Sequence, residues 1–173
     1  AVIVSLLVIL ALWLVAKRPL SATGFSLRQS PGSIGPALMA AALIVALSVG
    51  LQIWADDGTN TDAERLLYQG TMPGLDEELF WRGTLLPALS EALRGGRWNL
   101  FGARIGWGGA VMTLMFGALH GFAVQQGQWL VDPASIAITA TVGFGLLWIR
   151  ERTGSVLVPI ITHNLVNVAI SFV

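Results

Sequence analysis

Residues 72–93 read MPGLDEELFWRGTLLPALSEAL, and the topology of the whole chain turns on whether they cross a membrane. Hydropathy alone rejects them, because they hold Asp76, Glu77, Glu78, Arg82 and Glu91. Around them lie five apolar stretches, 1–16, 36–54, 105–124, 134–149 and 155–173. Each approaches the roughly 20 residues that a helix needs to span a bilayer. The first ends in Lys17-Arg18 without a small-residue cleavage site and reads as a span, not a signal peptide. Ala1 stands where an initiator Met would, so the chain reads as trimmed or processed.

The connecting segments decide the matter. Lys17, Arg18 and Arg28 lie in 17–35, Arg94, Arg97 and Arg104 in 94–104, and Arg150 and Arg152 in 150–154. Only Arg65 lies in 55–71, and 125–133 holds no basic residue. Short cytoplasmic loops carry the excess of Lys and Arg. With 72–93 counted as a crossing, the three basic loops fall on one side; without it the alternation collapses. Trp54, Trp98, Trp107, Trp129 and Trp148 fall near proposed span ends, as an interfacial belt requires, whereas Trp81 lies deep in the charged segment.

Composition agrees. Of 173 residues, 54% are hydrophobic and 12% charged, about half the charge of a water-soluble domain. The ten basic and ten acidic residues balance, which argues against nucleic acid as a partner. Zero cysteines exclude a disulfide framework, thiol catalysis and Cys-ligated metal. The expected fold is therefore all-α, a polytopic transmembrane bundle of about six helices, with the lipid bilayer as its first partner. Residues 1–70 supply two N-terminal transmembrane helices and their loops, and 71–173 a second unit.

Ionisable groups inside membrane spans are costly and are functional candidates by default. Pro73 suits the first turn of a helix, which puts the acids where the helix dipole favours negative charge. Glu78 and Arg82 are four apart and can pair on one face. Glu77 lies about 100° round the helix, free to act as a base. Phe116 and His120 share a face in the third apolar stretch, 105–124, and His163 and Asn167 do so in the last. A single histidine in an apolar span is often only a packing residue. Here the chain's two histidines both lie in spans, each four residues from a second distinctive side chain. A glutamate, two imidazoles and an amide can activate water and steady an oxyanion. Glu77, His120 and His163 also make a His₂Glu set of the kind that holds catalytic zinc, so Zn²⁺ is an open possibility. No HExxH, GxSxG or Gly-rich phosphate loop is present.

Glu77-Glu78-xxx-Arg82, Phe116-xxx-His120 and His163-xxx-Asn167 resemble, in order and spacing, the EExxxR, FxxxH and HxxxN motifs of the CPBP family. These are the CAAX proteases and bacteriocin-processing enzymes, also called Abi, and include the type II CAAX prenyl endopeptidases. Gly143-Phe144-Gly145 and Arg152-Thr153-Gly154-Ser155 extend the likeness. The resemblance covers about 75–170 and implies intramembrane endopeptidase activity on a membrane-associated protein or peptide. It implies that Glu77 is the general base and that His120 orients the water. His163 and Asn167 would stabilise the oxyanion, with Glu78 and Arg82 organising the site. It makes 71–173 the catalytic core and the expected location a prokaryotic cell membrane. The competing readings are a non-enzymatic membrane immunity or binding protein, and an ion-coupled transporter built on the same buried charges.

Overall fold

A computed structural model of the chain describes residues 20–55 and 58–173, together with Ile3, Leu6, Leu7, Leu10, Ala11 and Leu14. The first expected span, 1–16, therefore lies for the most part outside the described residues. After one helical turn, Leu20–Thr23, comes α1, Ile34–Ala55. The short α2, Ala63–Gln69, is capped by Asp62, whose Oδ2 accepts from Glu64 N at 3.1 Å and Arg65 N at 3.3 Å. The run opened by Pro73 is helical throughout: α3, Met72–Glu78, a π-helical segment, Leu79–Leu85, and α4, Leu86–Ala92. Pro87 explains the π turn. It has no N–H for the carbonyl of Gly83 and its ring would clash there. The widened turn re-pairs the neighbours at i−5, with Leu86 N–H bonded to Trp81 O and Thr84 Oγ1 donating to Leu79 O at 3.0 Å.

Next come strands β1, Arg97–Leu100, and β2, Ala103–Gly106, then α5, Trp107–Gly121. Strands β3, Phe122–Gln125, and β4, Gln128–Val131, lead to α6, Pro133–Thr153, and α7, Leu157–Ile170. The two antiparallel hairpins correct the all-α expectation; the chain is mostly helical with two small sheets. Both hairpins close through two-residue loops with positive φ at both positions, Phe101 (48°) with Gly102 (88°) and Gln126 (51°) with Gly127 (76°). This geometry matches the right-handed twist of paired strands. The hairpins also take the ends of the expected 105–124 span, leaving α5 with 15 residues. At 1.5 Å per residue that is about 22 Å, short of the roughly 30 Å hydrocarbon core. The 14-residue α7 is likewise shorter than its expected span.

Among the described residues, α1 and α6 are the helices long and apolar enough to cross a membrane. Leu38, Met39 and Leu43 of α1 are each more than half exposed, and 17% of its apolar window is buried. An apolar helix turned outward in this way is unlike the core helix of a soluble domain. Helix α6 sits centrally. Its Leu147 packs with Trp81, Leu86, Met112 and Phe116, and its Ile149 with Ala37, Ile44, Val158 and Val166.

The three basic segments converge at one end of the molecule. Ser30 N donates to Thr153 O at 2.8 Å, Val156 N to Gly24 O at 2.9 Å, and Arg152 Nη2 to Gly32 O at 3.0 Å. Trp148 Nε1 donates to Leu100 O at 2.8 Å, and Arg97 Nη2 pairs with Glu151 Oε2 at 2.9 Å. The Trp148 indole N–H thereby has a main-chain partner. At the opposite end Asp132 N donates to Gly121 O at 2.8 Å, and Asn60 N to Ser171 O at 3.0 Å.

Candidate active site

Glu78 and Arg82, one turn apart at the α3–π junction, have fully buried side chains and meet at 2.8 Å between Oε1 and Nη1. A buried ion pair is favourable only when its remaining polar atoms find partners; other elements supply some of them, while among the described residues Glu78 Oε2 and Arg82 Nε are buried without one. Arg82 Nη2 donates to Gly143 O on α6 at 2.9 Å, and the guanidinium lies 4.4 Å from the centroid of the Phe116 ring, a cation–π distance. His163 of α7 brings Nδ1 within 2.8 Å of the same Glu78 Oε1. A carboxylate accepts, so Nδ1 carries the proton and Nε2 is left for another partner.

The other carboxylate takes a different place. Glu77 Oε2 stands 3.7 Å from His120 Nε2, with the two side chains about one-third exposed. His120 donates Nδ1–H to Phe116 O at 2.7 Å, which presents Nε2 to Glu77. Phe116 is the hub. It stacks obliquely on His120 with ring centroids 4.6 Å apart, and its ring meets those of Trp81 and His163 edge-on. Gly143 makes room for it, since a Cβ there would lie 2.7 Å from Phe116 Cδ1.

Of this group, Phe116, His120 and His163 line a cavity of about 290 Å³ between α1, α5, α6 and α7, together with Asn167. Five of the six site residues expected from sequence are thus tied together by contacts. Asn167 joins them on the cavity wall. Among the described residues, no group of three His, Asp or Glu side chains is arranged to hold a metal ion. Glu77 and His120 face each other while His163 turns Nδ1 to Glu78, so the His₂Glu set does not close into a three-ligand site.

Three participants were not expected. Asn164 accepts from Gly74 N at 2.7 Å and donates to Thr71 O at 3.3 Å, fastening α7 to the start of α3. Ser48 and Gln52 of α1 also line the cavity. Their signal was available: apart from the indole of Trp54, they are the polar side chains of α1, and they stand four residues apart.

No curated protein and no solved structure matches the chain. A family model described as type II CAAX prenyl endopeptidase Rce1-like matches residues 60–169, more than half of its length. The ordered series of Glu77-Glu78, Arg82, Phe116, His120, His163 and Asn167 lies wholly within that segment, and the chain belongs to the Rce1-like family of type II CAAX prenyl endopeptidases, membrane-embedded proteases.

Proposed function

We propose that the chain is a multi-pass intramembrane endopeptidase that hydrolyses a peptide bond in a membrane-associated protein or peptide. The observation that carries this reading is the division of labour between adjacent carboxylates: Glu78 is locked between Arg82 and His163, while Glu77 faces His120. The 3.7 Å gap between Glu77 and His120 is too long for a direct hydrogen bond and within reach of one shared water.

In this mechanism Glu77 takes a proton from that water as the hydroxide oxygen bonds to the scissile carbonyl carbon. His120 Nε2 holds the water in line, its ring fixed through Nδ1 on Phe116 O. The carbonyl π electrons move to oxygen, and the resulting oxyanion is met by N–H groups of His163 and Asn167. For His163 to donate through Nε2 while Nδ1–H is on Glu78 Oε1, both ring nitrogens must carry hydrogen at that step. When the C–N bond breaks, the proton held by Glu77 passes to the leaving nitrogen. Such donors act strongly because they are positioned before charge develops.

The outward apolar face of α1 and the convergence of the basic loops support a polytopic arrangement with those loops cytoplasmic. About six spans, a prokaryotic cell membrane as the location, and a division into 1–70 and a catalytic 71–173 belong to the same reading. Glu77, His120 and Asn167 lie toward the opposite end of the molecule.

The test is cleavage of a membrane-associated peptide by protein reconstituted in liposomes. Glu77→Gln, His120→Ala and His163→Ala are each expected to abolish product formation while the purified protein remains monodisperse. Full activity in all three variants would falsify the proposal.

A further inference from the structure

Helix α1 lies outside the segment matched by the family model, yet it walls the catalytic cavity. Its cavity face carries Ser48 and Gln52, in a helix otherwise apolar from Ile34 to Ile53. Ser48 is more than nine-tenths buried, and its Oγ has no hydrogen-bond partner. A hydroxyl buried without a partner is destabilising, a poor choice for a residue that merely packs. Gln52 also lines a second cavity, bordered by Thr59, Asn60, Arg65 and Ser171, so its side chain stands where the catalytic cavity meets a polar mouth.

We propose that Ser48 and Gln52 form a polar rail that binds the main chain of the extended substrate peptide beside the scissile bond; this rests on the protease reading above. Residues four apart on a helix are displaced by about 6 Å along its axis. An extended chain repeats the peptide groups of one edge every two residues, about 6.8 Å. The two spacings agree closely enough for each side chain to meet one peptide group of the same edge. The Gln52 amide offers both a donor and an acceptor, and so does the Ser48 hydroxyl. A peptide taken from lipid into an apolar cavity needs both, because every unpaired main-chain group there is costly. The rail recognises backbone and not side chains, and it runs from the histidines toward the mouth at Arg65.

The experiment measures binding apart from cleavage. The probe is a dye-labelled Leu/Ala-rich peptide of about 20 residues, held in phosphatidylcholine liposomes with the Glu77→Gln protein so that it stays intact. Ser48→Ala and Gln52→Leu, introduced into that protein, are each expected to weaken binding about fivefold to tenfold. Leu43→Ala, on the outward face, leaves it unchanged. Methylating one backbone nitrogen of the peptide lowers affinity for the Glu77→Gln parent by a similar factor and lowers it no further for the Gln52→Leu variant. Equal affinity of the double variant and its parent, or no saturable binding to the parent, overturns the rail. If the rail variants weaken binding but protein with Glu77 intact leaves the bound peptide uncut, the protease reading fails and the rail stands.

Discussion

His163 and Glu78, 85 residues apart in the chain, are joined at 2.8 Å through Nδ1 and Oε1, the same oxygen that receives Arg82. One buried carboxylate therefore sets the orientation of a cation on its own helix and of an imidazole on a distant one. Its neighbour Glu77, one residue earlier, shares neither partner. The two glutamates should respond to substitution in different ways.

Glu77→Gln removes a base from a side chain that is about one-third exposed and makes no direct hydrogen bond. Cleavage should fall by at least about 100-fold, in line with loss of a general base, with little change in the thermal aggregation midpoint in detergent. Glu78→Gln should lower both, since Arg82 and His163 lose their shared negative partner. A comparison of the two variants by cleavage assay and melting curve checks the assignment, and equal melting losses would contradict it.

Arg82→Ala leaves Glu78 buried and short of its countercharge, a change that costs about 3–5 kcal/mol. The variant should be recovered in low yield and melt early. Arg82→Lys keeps the charge but, without the guanidinium fork, cannot hold Glu78 Oε1 and Gly143 O as the two Nη groups do, so it should be intermediate in stability. Melting curves of the two variants against the parent rank them.

Gly143→Ala would place a methyl 2.7 Å from Phe116 Cδ1 and 3.3 Å from Arg82 Nη2. Relief of that overlap should cost about 1–3 kcal/mol. Because Phe116 also carries His120, the displaced ring should depress turnover beyond what the stability loss explains. Turnover measured well below the melting midpoint isolates that effect.

Asn164 and Asn167 stand three residues apart and should separate cleanly. Asn164→Leu strands the buried Gly74 N–H, a loss of about 1–3 kcal/mol, and should speed hydrogen exchange at the start of α3. Asn167→Ala touches the cavity wall alone and should lower kcat while leaving exchange at residues 71–75 as it was.

Much of the site was legible as local spacing. The Glu78–Arg82 pair follows from a four-residue interval on one helix, and the placement of Glu77 about 100° away follows from the same helical geometry. The hairpins were harder to see, because Phe101-Gly102 and Gln126-Gly127 are weaker turn signals than Asn-Gly and lie at the edges of apolar stretches. Asn164 was hidden by its neighbours, the more distinctive His163 and Asn167.

Order along the chain and periodicity within each helix were enough to mark a membrane-type composition, three polar clusters and the split between two adjacent glutamates, because those depend on interactions a few residues apart. Which helices meet was settled by packing. Gly143 lends Arg82 a carbonyl and Phe116 a space, His163 reaches Glu78, and α1 turns Ser48 and Gln52 into the cavity. Each of these contacts joins residues remote in sequence, and no interval in the chain encodes the distance between two helices that fold against each other.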